Sequence, residues 1–114
     1  MSATLTTRRV GKVTVVHATG RITAGESAES FREAIRALAS SGQKKLLVNL
    51  ADISYMDSCG IGELISGYTT LANQGGAMKL LKLSKRVNDL LQSTKLYSVF
   101  EIYDDERKAL ASFQ

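Results

Sequence analysis

The residue types best suited to chemistry lie side by side near the middle of the chain. A carboxylate, a hydroxyl and a thiol follow one another there and lead into a glycine-rich segment, formed by Asp57, Ser58, Cys59, Gly60, Ile61 and Gly62. Asp and Ser are preferred at helix N-termini because their side-chain oxygens accept hydrogen bonds from the first free backbone N–H groups. The sequence therefore predicts that Ser58 displays its hydroxyl at the positive end of a helix, although the same pair would also serve as a simple cap.

Ser58 lacks the partners that would make it a nucleophile. Neighbouring side chains at a helix start point in different directions, so Asp57 is not placed to activate the hydroxyl. His17, the single histidine, lies in a predicted strand without a Ser-His-Asp or Cys-His pattern around it. One cysteine and one histidine also fall short of any zinc-site pattern. We therefore expect that the chain is not an enzyme and has no metal site and no cofactor. We interpret Ser58 as a residue to which another enzyme transfers a phosphoryl group.

A phosphate on Ser58 would be compatible with the predicted helix start. It would add about −1.5 to −2 charges at a helix terminus, where the dipole and the backbone N–H groups favour anions. Phosphorylation would then change the surface offered to a partner without unfolding the domain.

Two predicted elements position this segment. An apolar run at residues 46–50 is typical of a central strand, and a short polar crossing leads from it to Asp57. The segment that follows has apolar residues at helical spacing, namely Ile61, Leu64, Ile65, Tyr68, Leu71 and Ala72. Two glycines at positions 75 and 76 end the predicted helix, which spans residues 60–73.

Strand and helix signals alternate along the rest of the chain. Further strands are predicted at residues 4–10, 13–18, 78–83 and 99–103, and further helices at 28–40, 84–94 and 104–113. Gly11 marks a hairpin turn between the first two strands, and Ser84 caps the third helix. Because strands separated by helices pair in parallel, the order ββαβαβαβα predicts an α/β fold. We expect one domain over residues 1–114, with a mixed four- to five-stranded sheet and about four helices.

Composition and charge narrow the range of functions. Hydrophobic residues make up 44% of the chain, and no apolar run approaches the roughly 20 residues of a membrane span. The N-terminus lacks the apolar stretch of a secretory signal, so we expect a cytoplasmic protein without a membrane span. The net charge of +4 is spread without a tight basic run or interleaved aromatic residues, which argues against direct nucleic-acid binding. The positive excess would instead steer an acidic partner toward the protein.

Residues 57–62 resemble the signature of the STAS family. They are most similar to the bacterial anti-sigma factor antagonists, whose pattern reads Asp-Ser-Ser/Thr-Gly-hydrophobic-Gly. The apolar run at residues 47–50, the pair Tyr55 and Met56, the paired N-terminal strands, Gly20 and the C-terminal helix extend the resemblance over essentially the whole chain. The resemblance implies a STAS-like single domain.

The resemblance to the antagonists also implies a function. In that family the unphosphorylated protein binds a cytosolic anti-sigma factor that is also a serine kinase, and it thereby displaces a sigma factor. The kinase would phosphorylate Ser58 to end the interaction, and a phosphatase would restore it. The neighbouring residues would support the phosphosite and the partner surface; they are Asp57, Cys59, Gly60, Ile61 and Gly62. Asp57 would do so by capping the helix or by kinase recognition, and the glycines by leaving Ser58 approachable.

Two positions depart from the family pattern. Thr23 stands where the antagonists often carry an acidic residue, which weakens any transfer of partner contacts at this loop. Cys59 replaces the commoner Ser or Thr, and it is either a small buried residue or a redox-sensitive thiol at a helix start.

An alternative function follows from the same resemblance. The fold also serves as a scaffold or accessory subunit of stress-signalling or lipid-transport complexes, without a phosphorylation switch. The sequence leaves the oligomeric state, the kinase and the pathway open.

Overall fold

The computed structural model describes residues 3–114, so residues 1 and 2 of the expected domain lie outside the described part of the chain. Over the described residues the order is ββαβαβαβα, as predicted. The strands are β1 (Ala3–Val10), β2 (Val13–Ile22), β3 (Lys45–Met56), β4 (Ala77–Leu83) and β5 (Ile102–Tyr103). The α-helices are α1 (Glu26–Ser40), α2 (Ser58–Asn73), α3 (Lys85–Ser93) and α4 (Glu106–Ala111), and a 3₁₀ turn spans Tyr97–Val99.

The described residues form a five-stranded mixed sheet in the order β1-β2-β3-β4-β5. β1 pairs antiparallel with β2 through the predicted hairpin, and each later neighbouring pair is parallel. The prediction of a mixed sheet with an N-terminal hairpin is therefore confirmed. β3 lies at the centre, where both of its edges are paired, in agreement with its continuous apolar run.

The two faces of the sheet are covered unequally. Successive strand residues point to opposite faces, so Leu46 and Val48 join a core with α1, α2 and α3, while Leu47 faces away from it. Leu47 packs in a second, smaller cluster with residues of α4, including Ala109 and Phe113. Three helices thus cover one face of the sheet, and the short α4 covers only part of the other.

The largest differences from the sequence prediction lie in the strands. β2 runs to Ile22 and β3 to Met56, because the two strands stay paired beyond Leu50 through irregular registers that match Gly20 with Ile53 and Ile22 with Met56. The predicted polar crossing after Leu50 is therefore strand. β5 is shorter than predicted, since the chain first makes the 3₁₀ turn and pairs with β4 at only two positions.

The helices also correct the prediction in detail. α4 begins after the acidic residues at 104 and 105, because the Asp105 side chain caps its N-terminus from outside the helix. It ends at Ala111, before the predicted end at residue 113. In α2 the predicted inner face is correct for Ile61, Leu64 and Leu71, which are buried, but Ala72 is exposed. The face of α2 that packs against the sheet includes Gly67 instead, where the helix lies against Met78 of β4.

Candidate functional site

The chain enters the predicted phosphosite directly from a strand. β2 and β3 end side by side, with Ile22 paired to Met56, so the β2–α1 and β3–α2 connections leave the same edge of the sheet. The backbone N–H of Asp57 donates to the carbonyl of Ile22 at 3.4 Å and continues this pairing. The start of α2 therefore has little freedom relative to the sheet. Ligand sites of parallel α/β sheets commonly form at this edge, beyond the carboxyl ends of the strands.

Asp57 joins the two connections through its carboxylate. One oxygen accepts hydrogen bonds from the N–H groups of Cys59 at 2.9 Å and Gly60 at 3.1 Å, and the other accepts from Ala24 at 2.9 Å. The first two bonds confirm Asp57 as the N-cap of α2. The third bond, to the β2–α1 connection, has no signal in the sequence because the two residues are far apart along the chain. These N–H donors, that of Ala24 first, hold the pKa of the Asp57 carboxyl below its ordinary value.

The same hydrogen bonds alter the expected surroundings of Ser58. Two of the backbone N–H groups expected to lie free beside it, those of Cys59 and Gly60, already donate to Asp57. A phosphate on Ser58 would therefore lie next to an ionised carboxylate whose own charge is stabilised by three donors. The N–H groups of Cys59 and Gly60 would not be free to neutralise the charge of that phosphate, which would remain exposed on the surface.

The first four residues of α2 differ in their exposure to solvent. Ser58 and Cys59 are exposed, whereas Gly60 and Ile61 are buried. The interpretation of Cys59 as a small buried residue is wrong, because the first two residues of α2 project away from the sheet before the helix turns inward. The hydroxyl of Ser58 is therefore accessible, and it stands on a backbone that is fixed on either side.

Gly60 fits α2 tightly against the ends of the strands. A Cβ atom built there would lie 2.5 Å from the carbonyl oxygen of Ile22 and 2.6 Å from Cγ of Met56, well inside van der Waals contact. A Cβ at Gly62 would meet no atom within 4 Å. The packing of α2 on the strand ends thus requires a glycine at position 60. Gly62 faces open space, where it leaves the surface beside Ser58 uncrowded.

A group of three residues near this edge was missed by the sequence analysis. The guanidinium carbons of Arg21 and Arg86 lie 5.2 Å and 4.5 Å from the ring centroid of Tyr55. We call this group the arginine–tyrosine cluster. Its members come from β2, β3 and α3, so only the folded sheet brings them together, and no local pattern in the sequence marks them.

His17 contacts Asp52 and not the predicted phosphosite. Its Nε2 atom lies 2.8 Å from an Asp52 carboxylate oxygen, and both side chains are largely exposed on neighbouring strands. Within the described residues 3–114, no group of three or more His, Cys, Asp and Glu side chains has a metal-binding arrangement. Over the same residues, no helix combines the length and hydrophobicity that crossing a bilayer requires.

Known proteins share this sequence pattern and fold. The family model of the STAS domain matches residues 4–109. The anti-sigma-B factor antagonist of Bacillus subtilis (strain 168) is 38% identical over 76 residues, which cover 67% of this chain and 69% of that protein.

Two solved structures are similar in fold. An anti-sigma factor antagonist from Mycobacterium paratuberculosis superposes with a TM-score of 0.85 at 21% identity, covering 98% of this chain and 94% of the other. The Bacillus cell fate determinant SpoIIAA in its phosphorylated form superposes with a TM-score of 0.75 at 20% identity, covering 97% and 100%. The family match over residues 4–109 and the 38% identity to the Bacillus subtilis protein show that the chain belongs to the STAS domain family.

Proposed function

We propose that this chain is an anti-sigma factor antagonist whose binding to its partner is controlled by phosphorylation of Ser58. The partner is an anti-sigma factor that is also a serine kinase, and the exchange takes place in the cytoplasm. Binding of the unphosphorylated chain releases a sigma factor, phosphorylation of Ser58 by the bound kinase ends the interaction, and a phosphatase restores it. The observation that carries this proposal is the exposed Ser58 hydroxyl on a backbone fixed by Asp57 and Gly60.

An exposed hydroxyl on a rigid support suits a phosphoacceptor. A kinase must reach the oxygen without unfolding its substrate, and Ser58 is exposed while the residues on both sides are held in place. The phosphate would add about −1.5 to −2 charges to a position that faces solvent, so the folded domain would keep its core. The change would instead act on the surface that a partner covers.

The charges around Ser58 support a switch that ends binding. A phosphate beside the Asp57 carboxylate would concentrate negative charge at one spot of the surface, and a partner would have to remove its water to stay bound. Desolvating an ion without a matching counter-charge costs several kcal/mol, which is enough to dissociate a moderately stable complex.

The names of the similar proteins point the same way. The Bacillus subtilis relative is named as an antagonist of an anti-sigma factor, and SpoIIAA has been solved in a phosphorylated form. Antagonism of an anti-sigma factor is a binding role and not a reaction, which agrees with the prediction that this chain is not an enzyme. The same likeness is compatible with a scaffold or accessory subunit that lacks the switch, and the experiment below separates the two.

Incubation of the purified chain with candidate serine kinases of its source organism and ATP tests the phosphoacceptor. We expect one phosphate per chain, located at Ser58 by mass spectrometry, and none on Ser58→Ala. A matched control is Ser54→Ala, which removes another exposed serine that precedes Asp57. Incorporation that survives Ser58→Ala would move the switch to another residue, and a chain that no such kinase modifies would favour the scaffold function.

A further inference from the structure

A shallow groove of about 340 Å³ lies between the end of β3 and α3. Its base is apolar and its rim carries a cation, an anion and a hydroxyl; the lining residues are Tyr55, Met56, Arg86, Asp89, Leu90 and Ser93. Met56 also lies under the start of α2, where its Cγ would be 2.6 Å from a Cβ at position 60. Met56 therefore lies beneath both the groove and the start of α2, which places the groove at the same edge of the sheet as Ser58.

The arginine–tyrosine cluster borders this groove with positive charge, because Tyr55 and Arg86 line the groove and Arg21 contacts Tyr55 from β2. Arg21 and Arg86 are both exposed, and among residues 3–114 neither has a carboxylate within ion-pair distance. Asp89, the acidic residue of the rim, pairs instead with Lys85 at 3.0 Å. The first turn of α3 contributes the positive end of its dipole beside Arg86.

Two like charges held on one ring favour an anionic ligand. Both guanidinium groups contact Tyr55, so their carbons are less than about 10 Å apart, roughly one Debye length at 0.1 M salt, and their repulsion is only partly screened. A carboxylate placed at the cluster would relieve that repulsion and accept charge-assisted hydrogen bonds from the planar guanidinium groups. Stacking on Tyr55 restricts the two arginine side chains beforehand, which lowers the entropy lost when a ligand orders them.

We propose that the groove and the arginine–tyrosine cluster form a second part of the partner surface, which binds an acidic segment of the anti-sigma factor kinase. An apolar side chain of that segment packs on Tyr55 and Leu90, above the buried Met56, and neighbouring carboxylates pair with Arg21 and Arg86. This inference rests on the proposed function. It assigns affinity to a site that phosphorylation does not modify, so binding and switching are separable.

Equilibrium binding of the purified kinase that phosphorylates Ser58 tests the groove. We compare the wild-type chain with Arg86→Gln and with Arg21→Gln/Arg86→Gln, which keep long polar side chains at both positions. The matched control is Arg107→Gln/Lys108→Gln, which also removes two positive charges, from exposed positions on α4 at the other face of the sheet. The dissociation constant is measured at low and at physiological salt, and thermal unfolding confirms that each variant is folded.

The double variant at the cluster should bind at least tenfold more weakly than wild type and lose most of the salt dependence of binding, because two exposed positive charges that attract the acidic segment are removed. The dissociation constant of Arg86→Gln alone should lie between those of wild type and the double variant. The control should change the affinity less than twofold. Wild-type affinity in the double variant, or an equal loss in the control, would overturn the groove as a specific site while leaving the proposed function intact. A wild-type chain that does not bind the kinase at either salt would contradict the proposed function and this inference together.

Discussion

Asp57 is the residue on which the predicted phosphosite depends most directly. Its carboxylate caps α2 through Cys59 and Gly60 and also holds Ala24 in the preceding connection. Capping requires only the bonds to Cys59 and Gly60, and the bond to Ala24 adds a direct link to the β2–α1 connection. Because Asp57 joins the start of α2 to that connection, the position of Ser58 relative to the β2–α1 connection is part of the folded structure.

Replacing Asp57 by alanine should lower the free energy of unfolding at pH 7 by about 1 to 2 kcal/mol, the usual range for the loss of an N-cap. Urea unfolding measures this loss. Asp104→Ala is a suitable control, because Asp104 is an exposed acid outside the α4 cap. An equal loss in both variants would mean that the hydrogen bonds of Asp57 contribute nothing to stability beyond the effect of one negative surface charge.

The loss caused by Asp57→Ala should also depend on pH. Hydrogen bonding lowers the pKa of Asp57 in the folded state below its ordinary value of 3.8, so its ionised form stabilises the fold. That contribution is fully present above pH 3.8 and disappears as the pH falls through the folded-state pKa. The difference between wild type and Asp57→Ala should therefore be constant from pH 5 to 7 and shrink below about pH 4. A difference that grows on acidification would contradict this linkage.

At the scale of elements, the packing of α2 on the strand ends fixes the position of Ser58. β3 and β2 extend together to Met56 and Ile22, and Gly60 lets the helix backbone approach both residues. A larger residue at this position would push the start of α2 away from the sheet. The two glycines of the motif therefore have different physical roles, although they are only two positions apart.

A matched pair of substitutions separates these roles. Gly60→Ala should destabilise the fold by about 1 to 3 kcal/mol, because its Cβ would collide with a backbone carbonyl that has no room to move. Gly62→Ala meets open space, and the better helix propensity of alanine should make it neutral or stabilising by up to about 1 kcal/mol. Thermal or urea unfolding of both variants is the measurement. Equal effects of the two substitutions would show that α2 is not held closely at Gly60.

At the scale of the whole molecule, a buried lysine contacts the chain segment that follows α4, on the face of the sheet that, among the described helices, only α4 covers. Lys79 of β4 donates to the Ser112 carbonyl at 2.9 Å and to its hydroxyl at 3.0 Å, and its ammonium lies 4.7 Å from the centroid of the Phe113 ring. Lys79 is only 8% exposed, and it also pairs with Glu101 at 3.3 Å. These contacts tie the segment that follows α4 to the sheet.

Lys79→Met should loosen α4 while leaving the phosphosite intact. Methionine keeps the apolar stem but removes the donors, which should lower stability by about 1 to 3 kcal/mol. Hydrogen exchange should accelerate at residues 106–113 and stay slow at the start of α2. The neighbouring Lys82→Met, at an exposed position of β4, should change neither region. Faster exchange throughout the protein would mean that α4 does not open separately.

Much of this molecule could be predicted from its sequence. Apolar spacing gave the order of elements, and residue type at Asp57 and Ser84 gave two helix caps, because these signals are local. The extension of β3 to Met56 was missed because pairing with β2, and not local composition, holds those residues in a strand. The arginine–tyrosine cluster was missed for the same reason, since its members meet only after the strands and α3 have packed.

We infer that Ser58 controls binding through surface charge and not through stability. Ser58→Asp places one negative charge at an exposed helix start, so its free energy of unfolding should stay within about 1 kcal/mol of wild type. Ser58→Ala should bind the partner kinase as the unmodified chain does.

Measuring the affinity of the kinase for Ser58→Asp, together with the stability of that variant, tests this claim most directly. We predict a dissociation constant at least tenfold higher than that of wild type, or about 1.4 kcal/mol, with stability retained. Unchanged affinity would contradict the switch, and a loss of affinity that accompanies an equal loss of stability would reduce Ser58 to a structural residue of the helix start.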